Sequence, residues 1–394
     1  MIEQMDADTV IVLRGGNVYT PSGLVKGSVV IRGGVIEEIT SAPVDIAHAK
    51  YYDTEGLSVV PGGIDIHIHG GGGREFIDAT EDNFRTIMSS HAMFGATSFL
   101  PTLPACPFDT IRESVEICEK LMEEPDSPVL GLHLEGPYLN PRKAGAIIPE
   151  YILTPQEKDY KPVLDSTNVI KRWDFAPELP GAMEFSRCLR SYGVLSSLAH
   201  TEAEYPVVRE AFENGCTHAT HFYNAMSGVH NVREYKHEGT IESVYLIPEM
   251  TVEVIADGKH VPPAILRLIY QIKGPENVAL VSDALGPSAG AEGGIFDPRV
   301  EIHDGVCKLK DHSALAGSIA TMDVMIRAMV NAGVPFEDVI RMSAETPARI
   351  VGALGRKGTL EKHKDADIVI YDKKLQVRFV MQRGKVIRDS LTSN

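Results

Sequence analysis

The chain has 394 residues, 43% of them hydrophobic and 23% charged, the balance of an ordinary soluble globular protein. Its formal net charge of −16 argues against nucleic acid, whose backbone needs a basic footprint, while leaving room for an anionic small molecule at a local Arg/His cluster or helix N-terminus. No apolar run approaches the ~18–20 residues of a membrane span, and the first residues carry acids with no apolar core, so neither membrane insertion nor a signal peptide is expected.

Five cysteines (Cys106, Cys118, Cys188, Cys216, Cys307) are scattered without a Cys-x-x-Cys pair. That fits reduced thiols and a cytoplasmic location, and gives no support to a thiolate zinc site. In chain order, residues 10–60 read as β structure: 10–13, a turn at Gly15-Gly16, 28–31, a second glycine pair, then 35–36. The other end repeats the style at 367–371, 377–381 and 384–387. Both ends are expected to pair into one small β-sandwich domain, residues 1–60 with 357–394.

The segment between them, 61–356, alternates strands and helices. The candidate strands are 64–69, 97–103, 129–135, 171–177, 194–200, 217–223, 251–257 and 278–283. Helical patterns fall at 82–94, 108–122, 182–192, 206–214 and 263–272, then at 321–332 and 335–343. Eight largely apolar strands alternating with amphipathic helices predict an α/β fold, a (β/α)8 TIM-like barrel. An open doubly wound sheet lacks its Gly-x-Gly-x-x-Gly turn here.

A barrel places its chemistry at the C-terminal ends of its strands. The first strand ends in His67 and His69, which alternate with Ile64, Ile66 and Ile68 and open into a run of four glycines. Residues two apart in a strand share a face, roughly 6–7 Å between Cβ atoms, so these imidazoles can grip one ion at about 2.1 Å from each nitrogen. Other strands end in His133-Leu134-Glu135, His200-Thr201, His218-Ala219-Thr220-His221, Asp257-Gly258-Lys259-His260 and Ser282-Asp283. Each of these has an ordinary reading alone: Glu135 before a Gly-Pro turn, His200 or Asp283 capping a helix. Together they predict a mononuclear or binuclear metal site. Its nitrogen and oxygen donors suit Zn, Fe, Mn or Co without choosing among them. His133 and His218, two residues before stronger candidates, are expected to support ligands rather than to be ligands.

These motifs resemble the N-acetylglucosamine-6-phosphate deacetylase family of the amidohydrolase superfamily. The likeness rests on Pro61-Gly62-Gly63-Ile64-Asp65-Ile66-His67-Ile68-His69-Gly70, His133-Leu134-Glu135-Gly136-Pro137-Tyr138, Thr220-His221-Phe222-Tyr223-Asn224-Ala225-Met226, Ser282-Asp283-Ala284 and Leu315-Ala316-Gly317-Ser318. It implies a metal-dependent amide hydrolase that deacetylates an amino-sugar phosphate, with Glu135, His200 and His221 on the main ion. His67 and His69 would hold a second ion or support a shared one, and Asp283 would be the general base and acid. Ala146, Asn224, Ala225, Arg233, His260, Leu315, Ala316, Gly317 and Ser318 would meet the sugar phosphate, Arg233 from across a homodimer. Two departures stand out. Ile147 replaces the histidine that polarises the acetamide carbonyl in the family, and Tyr235-Lys236 replaces the usual Pro-Gly. A second ion at His67 and His69, or another substrate such as N-acetylgalactosamine 6-phosphate or a different N-acyl compound, would account for Ile147. The retained Asp283 speaks against a non-catalytic binding relative.

Overall fold

The structure, a computed structural model, describes residues 9–290 and 297–391. Residues 1–8 and 392–394, at the two ends of the expected β-domain, lie outside the described residues. The expected barrel is present. Its strands are Gly63–Ile68, Ala96–Pro104, Leu132–Glu135, Ile170–Phe175, Leu195–Leu198, Cys216–Ala219, Thr251–Ile255 and Val278–Val281, each hydrogen-bonded in parallel to the next.

The eighth strand meets the first through its C-terminal end. The Asp283 N–H donates to the His67 carbonyl (2.9 Å) and the His69 N–H to the Ala284 carbonyl (3.0 Å). Below them, Asp65 Oδ1 accepts from the N–H groups of His67 and Ser282 (3.3 and 3.2 Å).

The surrounding helices follow from local sequence. Glu81–Ala92 is typical: the Thr80 hydroxyl accepts from the Asn83 N–H, acids fill the first turn and His91 the last, as the helix dipole favours. Its Phe84, Ile87, Met88 and His91, spaced by three and four, form the buried stripe. The helix Glu157–Ser166 has no counterpart in the sequence reading, because Pro162 within it masks the helical pattern. Two further additions are the hairpin His230–Val232/Tyr235–His237 and the three-stranded sheet Val300–His303, Val306–Leu309, Leu315–Gly317.

Strands from both chain ends form one eight-stranded mixed sheet folded over its own core, with Ile11, Val29, Tyr52, Ile368 and Phe379 packed together. The turn expected at Gly15-Gly16 is a bulge instead, and a single strand runs Val10–Thr20 through it. At the bulge this strand changes neighbour, from Lys50–Asp53 to Ser58–Pro61. Gly16 permits the switch, since a Cβ there would sit 2.6 Å from Val59 Cγ2.

Candidate metal centre

A cavity of about 420 Å³ opens over the C-terminal ends of the barrel strands. Its floor holds Glu135, His200, His221, His69 and Asp283, all buried. Glu135 closes its own strand, while His200 and His221 lie two residues past theirs with positive φ of 45° and 28°. Left-handed backbone at non-glycine residues costs of order 1–3 kcal/mol each and gathers at functional sites.

That backbone brings the two His Nε2 atoms to 3.1 Å from each other and each to 3.0 Å from Glu135 Oε1. Donors bound at ~2.0–2.1 Å to one tetrahedral ion lie roughly 3.3 Å apart, so this triangle has the size of one face of a coordination shell. The His200 Nδ1–H donates to the Lys143 carbonyl (2.7 Å), which leaves the Nε2 lone pair turned inward.

A second group shares Glu135. His67 and His69 bring their Nε2 atoms to 3.2 Å from each other, and His69 Nε2 lies 3.3 Å from Glu135 Oε2. Asp283 Oδ1 is 3.2 Å from His69 Nε2 and 3.5 Å from His67 Nε2. Each trio, His67–His69–Glu135 and Glu135–His200–His221, gathers its donor atoms within 4.8 Å. Both are fit to hold a divalent ion.

The electrostatics point the same way. Burial works to raise the Glu135 carboxyl, but hydrogen bonding from His200, His221 and His69 holds it well below the usual carboxylate range. Burial would depress His221, yet Glu135 draws it up to about 9, and Asp283 with Glu135 draws His69 well above its ordinary value. The carboxylates of the site thus favour positive charge on its histidines.

Asp283, with φ 47°, follows strand eight. Burial favours its neutral form, but His67 and His69 outweigh that and hold it below its ordinary value. Ser318 does not line the cavity: its hydroxyl donates to the Ser282 carbonyl (2.5 Å) and its N–H to the Asp283 carbonyl (2.8 Å). It buttresses the Asp283 main chain, because Ser318, just past its strand, forms an isolated parallel bridge with Ala284.

His260, held through Nδ1 by Asp257 (2.7 Å), lines the cavity with Asn224, Ala225, Ala146, Leu315, Ala316 and Gly317. His67 lies beneath its floor, fully buried. Arg233 stands apart, exposed at the tip of the hairpin and absent from its own chain's cavity wall. Ile147 does line it, packed with Ala105, Leu139 and Ala199.

Residues 58–387 match the amidohydrolase family. N-acetylglucosamine-6-phosphate deacetylase of Haemophilus influenzae is 31% identical over 377 residues, covering 93% of this chain and 97% of the relative. The chain belongs to the N-acetylglucosamine-6-phosphate deacetylase family of amidohydrolases. N-acetylgalactosamine-6-phosphate deacetylase of Escherichia coli is 31% identical over 383 residues, covering 95% and 98%. The crystal structure of N-acetylglucosamine-6-phosphate deacetylase from Pasteurella multocida superposes with a TM-score of 0.90 at 26% identity, covering 96% of this chain and 99% of that one.

Beneath the floor, this deacetylase-family barrel departs from the branched apolar filling typical of (β/α)8 interiors. Arg172, Asp174 and Glu253 are fully buried there. Arg172 donates from Nε to Asp174 (2.9 Å), from one terminal nitrogen to Glu253 Oε1 and Thr220 Oγ1 (2.9 and 2.7 Å), and from the other to Glu253 Oε2. His133 Nε2 lies 2.9 Å from Asp174, and His218 Nε2 lies 3.4 Å from Glu253. Both expected supporting histidines thus sit in this layer.

Sequence reasoning missed Arg172, Asp174 and Glu253. A signal was available: Arg172-Trp173-Asp174 and Glu253 are charged residues inside apolar strands, and a charge buried there must find a partner.

Proposed function

We propose that this protein hydrolyses the acetamide of N-acetylglucosamine 6-phosphate, releasing acetate and glucosamine 6-phosphate. One observation carries the reading: Asp283 converges with two histidine–carboxylate trios at the base of a single cavity, five of the six side chains lining it and His67 just beneath, in a chain related over nearly its whole length to such deacetylases. Glu135, His200 and His221 would hold the main divalent ion, and His67 with His69 a second. Bound there, an ion supplies Lewis acidity and lowers the pKa of water from 15.7 toward about 7.

The remaining chemistry belongs to the chain's own groups. An amide has a weakly electrophilic carbonyl and a poor leaving group. Asp283 takes a proton from the attacking water as the new C–O bond forms, and returns it to nitrogen as the C–N bond breaks. Asp283, held below its ordinary range, is ionised and ready to accept. Ile147 cannot donate to the developing oxyanion, and one such donor is worth roughly 10²–10³ in rate, so the His67 and His69 side of the site would supply that charge.

Asn224, Ala225 and His260 would orient the sugar phosphate. Arg233 would reach it in a homodimer, from the partner's hairpin, a reading supported by its distance from its own cavity and by exposed Val229, Val232 and Tyr235 around it. Residues 61–356 form the catalytic unit in this reading, with the terminal sheet as its support. A cytoplasmic location is supported by five unpaired cysteines, and no described helix is long and apolar enough to cross a membrane.

A second reading keeps the chemistry and changes the sugar to N-acetylgalactosamine 6-phosphate, favoured by the Escherichia coli relative and by Ile147. Metal analysis of purified protein, with acetate release measured on both sugar phosphates, separates the two. Metal bound with no acetate from N-acetylglucosamine 6-phosphate would retire the first reading. Replacing His67 and His69 together by alanine is expected to abolish turnover, and near-normal rates in that double variant would remove them from the reaction.

A further inference from the structure

The two trios are steadied by different means. The His200 ring leans on a main-chain carbonyl, that of Lys143. The His67 Nδ1–H instead donates to the Glu253 carboxylate (2.6 Å), which two nitrogens of the Arg172 guanidinium hold from behind. All three groups are fully buried. A carboxylate behind a ligating imidazole fixes its tautomer, aims its free nitrogen and strengthens it as a donor.

We infer that the Arg172–Glu253 pair is the positioning device for a second divalent ion, bound at His67 and His69, and that this ion depends on Glu253 far more than the ion at Glu135, His200 and His221. The inference rests on the metal-site reading above. Charge supports it: Arg172 offsets only one of Asp174 and Glu253, so the buried layer retains a negative charge below His67, facing the side where a cation would sit. Geometry makes the dependence sharp. Glu253 Oε1 accepts at once from His67 Nδ1, the His221 N–H (3.0 Å) and Arg172 (2.9 Å), while Oε2 faces Arg172 again. A glutamine here must turn its NH2 either toward Arg172 or toward His67 and His221, donor against donor in both cases.

The test is a cobalt titration of chelator-stripped protein, read by bound metal per chain and by the visible Co²⁺ spectrum, on the wild type, Glu253→Gln and Glu253→Asp. Aspartate keeps the charge but withdraws the carboxylate by one methylene, so it serves if the glutamine variant does not fold. Wild type should take two ions. The variants should bind the second ion 10–100-fold more weakly, the range found for such outer partners, and weaken the first by less, since Glu253 meets that ion's ligand set only through the His221 backbone N–H. Two ions retained with unchanged affinity in the variants, a single ion in the wild type, or equal weakening of both ions in a folded variant would each overturn the inference. No metal in the wild type would instead overturn the metal-site reading on which it rests.

Discussion

Two buried clusters in this molecule each set a cation between two carboxylates and have different duties. Inside the barrel, Arg172 lies between Asp174 and Glu253; where the barrel meets the terminal sheet, Lys357 lies between Asp365 (3.0 Å) and Asp367 (2.5 Å). The lower cluster also receives Arg356 and Arg383 on Asp365 (2.7 and 3.3 Å). Arginine's planar fork fixes the orientation of both carboxylates it touches, and Glu253 passes that orientation to His67. Lysine is a compact charge with no such directionality, sufficient where two layers need only be held together. A buried ion pair is weak evidence of stability in itself, and the two sites differ in what they aim.

The comparison can be broken in three places. The largest effect should come from Asp283→Asn, above the upper cluster: turnover falls about 10²–10⁴-fold, the range for loss of a general acid–base group, with the melting temperature little changed. Comparable losses in both would mean that the floor is structural rather than chemical. Next, Lys357→Met should cost about 3–5 kcal/mol of unfolding free energy in urea, since it leaves the buried Asp367 carboxylate without its cation, while the folded fraction turns over at the wild-type rate. A turnover defect there would erase the distinction between the clusters.

The smallest effect concerns a buried group with no counter-charge. His91 is enclosed against the Gly70 carbonyl (3.1 Å) and the Ser288 hydroxyl (2.9 Å), and burial pushes its pKa down to about 4 from an ordinary 6.5. The unfolded chain therefore binds more protons between those values, so stability falls as pH drops through that window, by about 3 kcal/mol in all. In His91→Gln that part of the acid slope should vanish from urea midpoints measured between pH 6.5 and 4.

The sequence made the barrel readable because eight apolar strands alternate with helical patterns and six of them end in polar residues, and a strand's alternation puts His67 and His69 on one face without further information. It could not place Arg172, Asp174 and Glu253, since they and their partners come from five different strands and meet only once the barrel closes. The bulge at Gly15-Gly16 read as a turn because a glycine pair marks either, and only the neighbouring Val59 decides between them. Ser318 sits beside cavity residues in sequence, yet its bridge to Ala284 turns it toward the Ser282 and Asp283 backbone. Ile147 was visible as a departure, and its apolar packing accounts for its tolerance there.

The seam of the barrel has a consequence for how the protein fails. Strands one and eight are joined by the backbone of His67, His69, Asp283 and Ala284, so the last stitch that closes the sheet is made by residues of the proposed catalytic site. A barrel that breathes open at this seam displaces Asp283 and the His67–His69 pair in one motion. A partly unzipped form is then expected to be inactive, and any ligand spanning Asp283 and His69 would act as a clasp that raises the free energy of opening by its own binding.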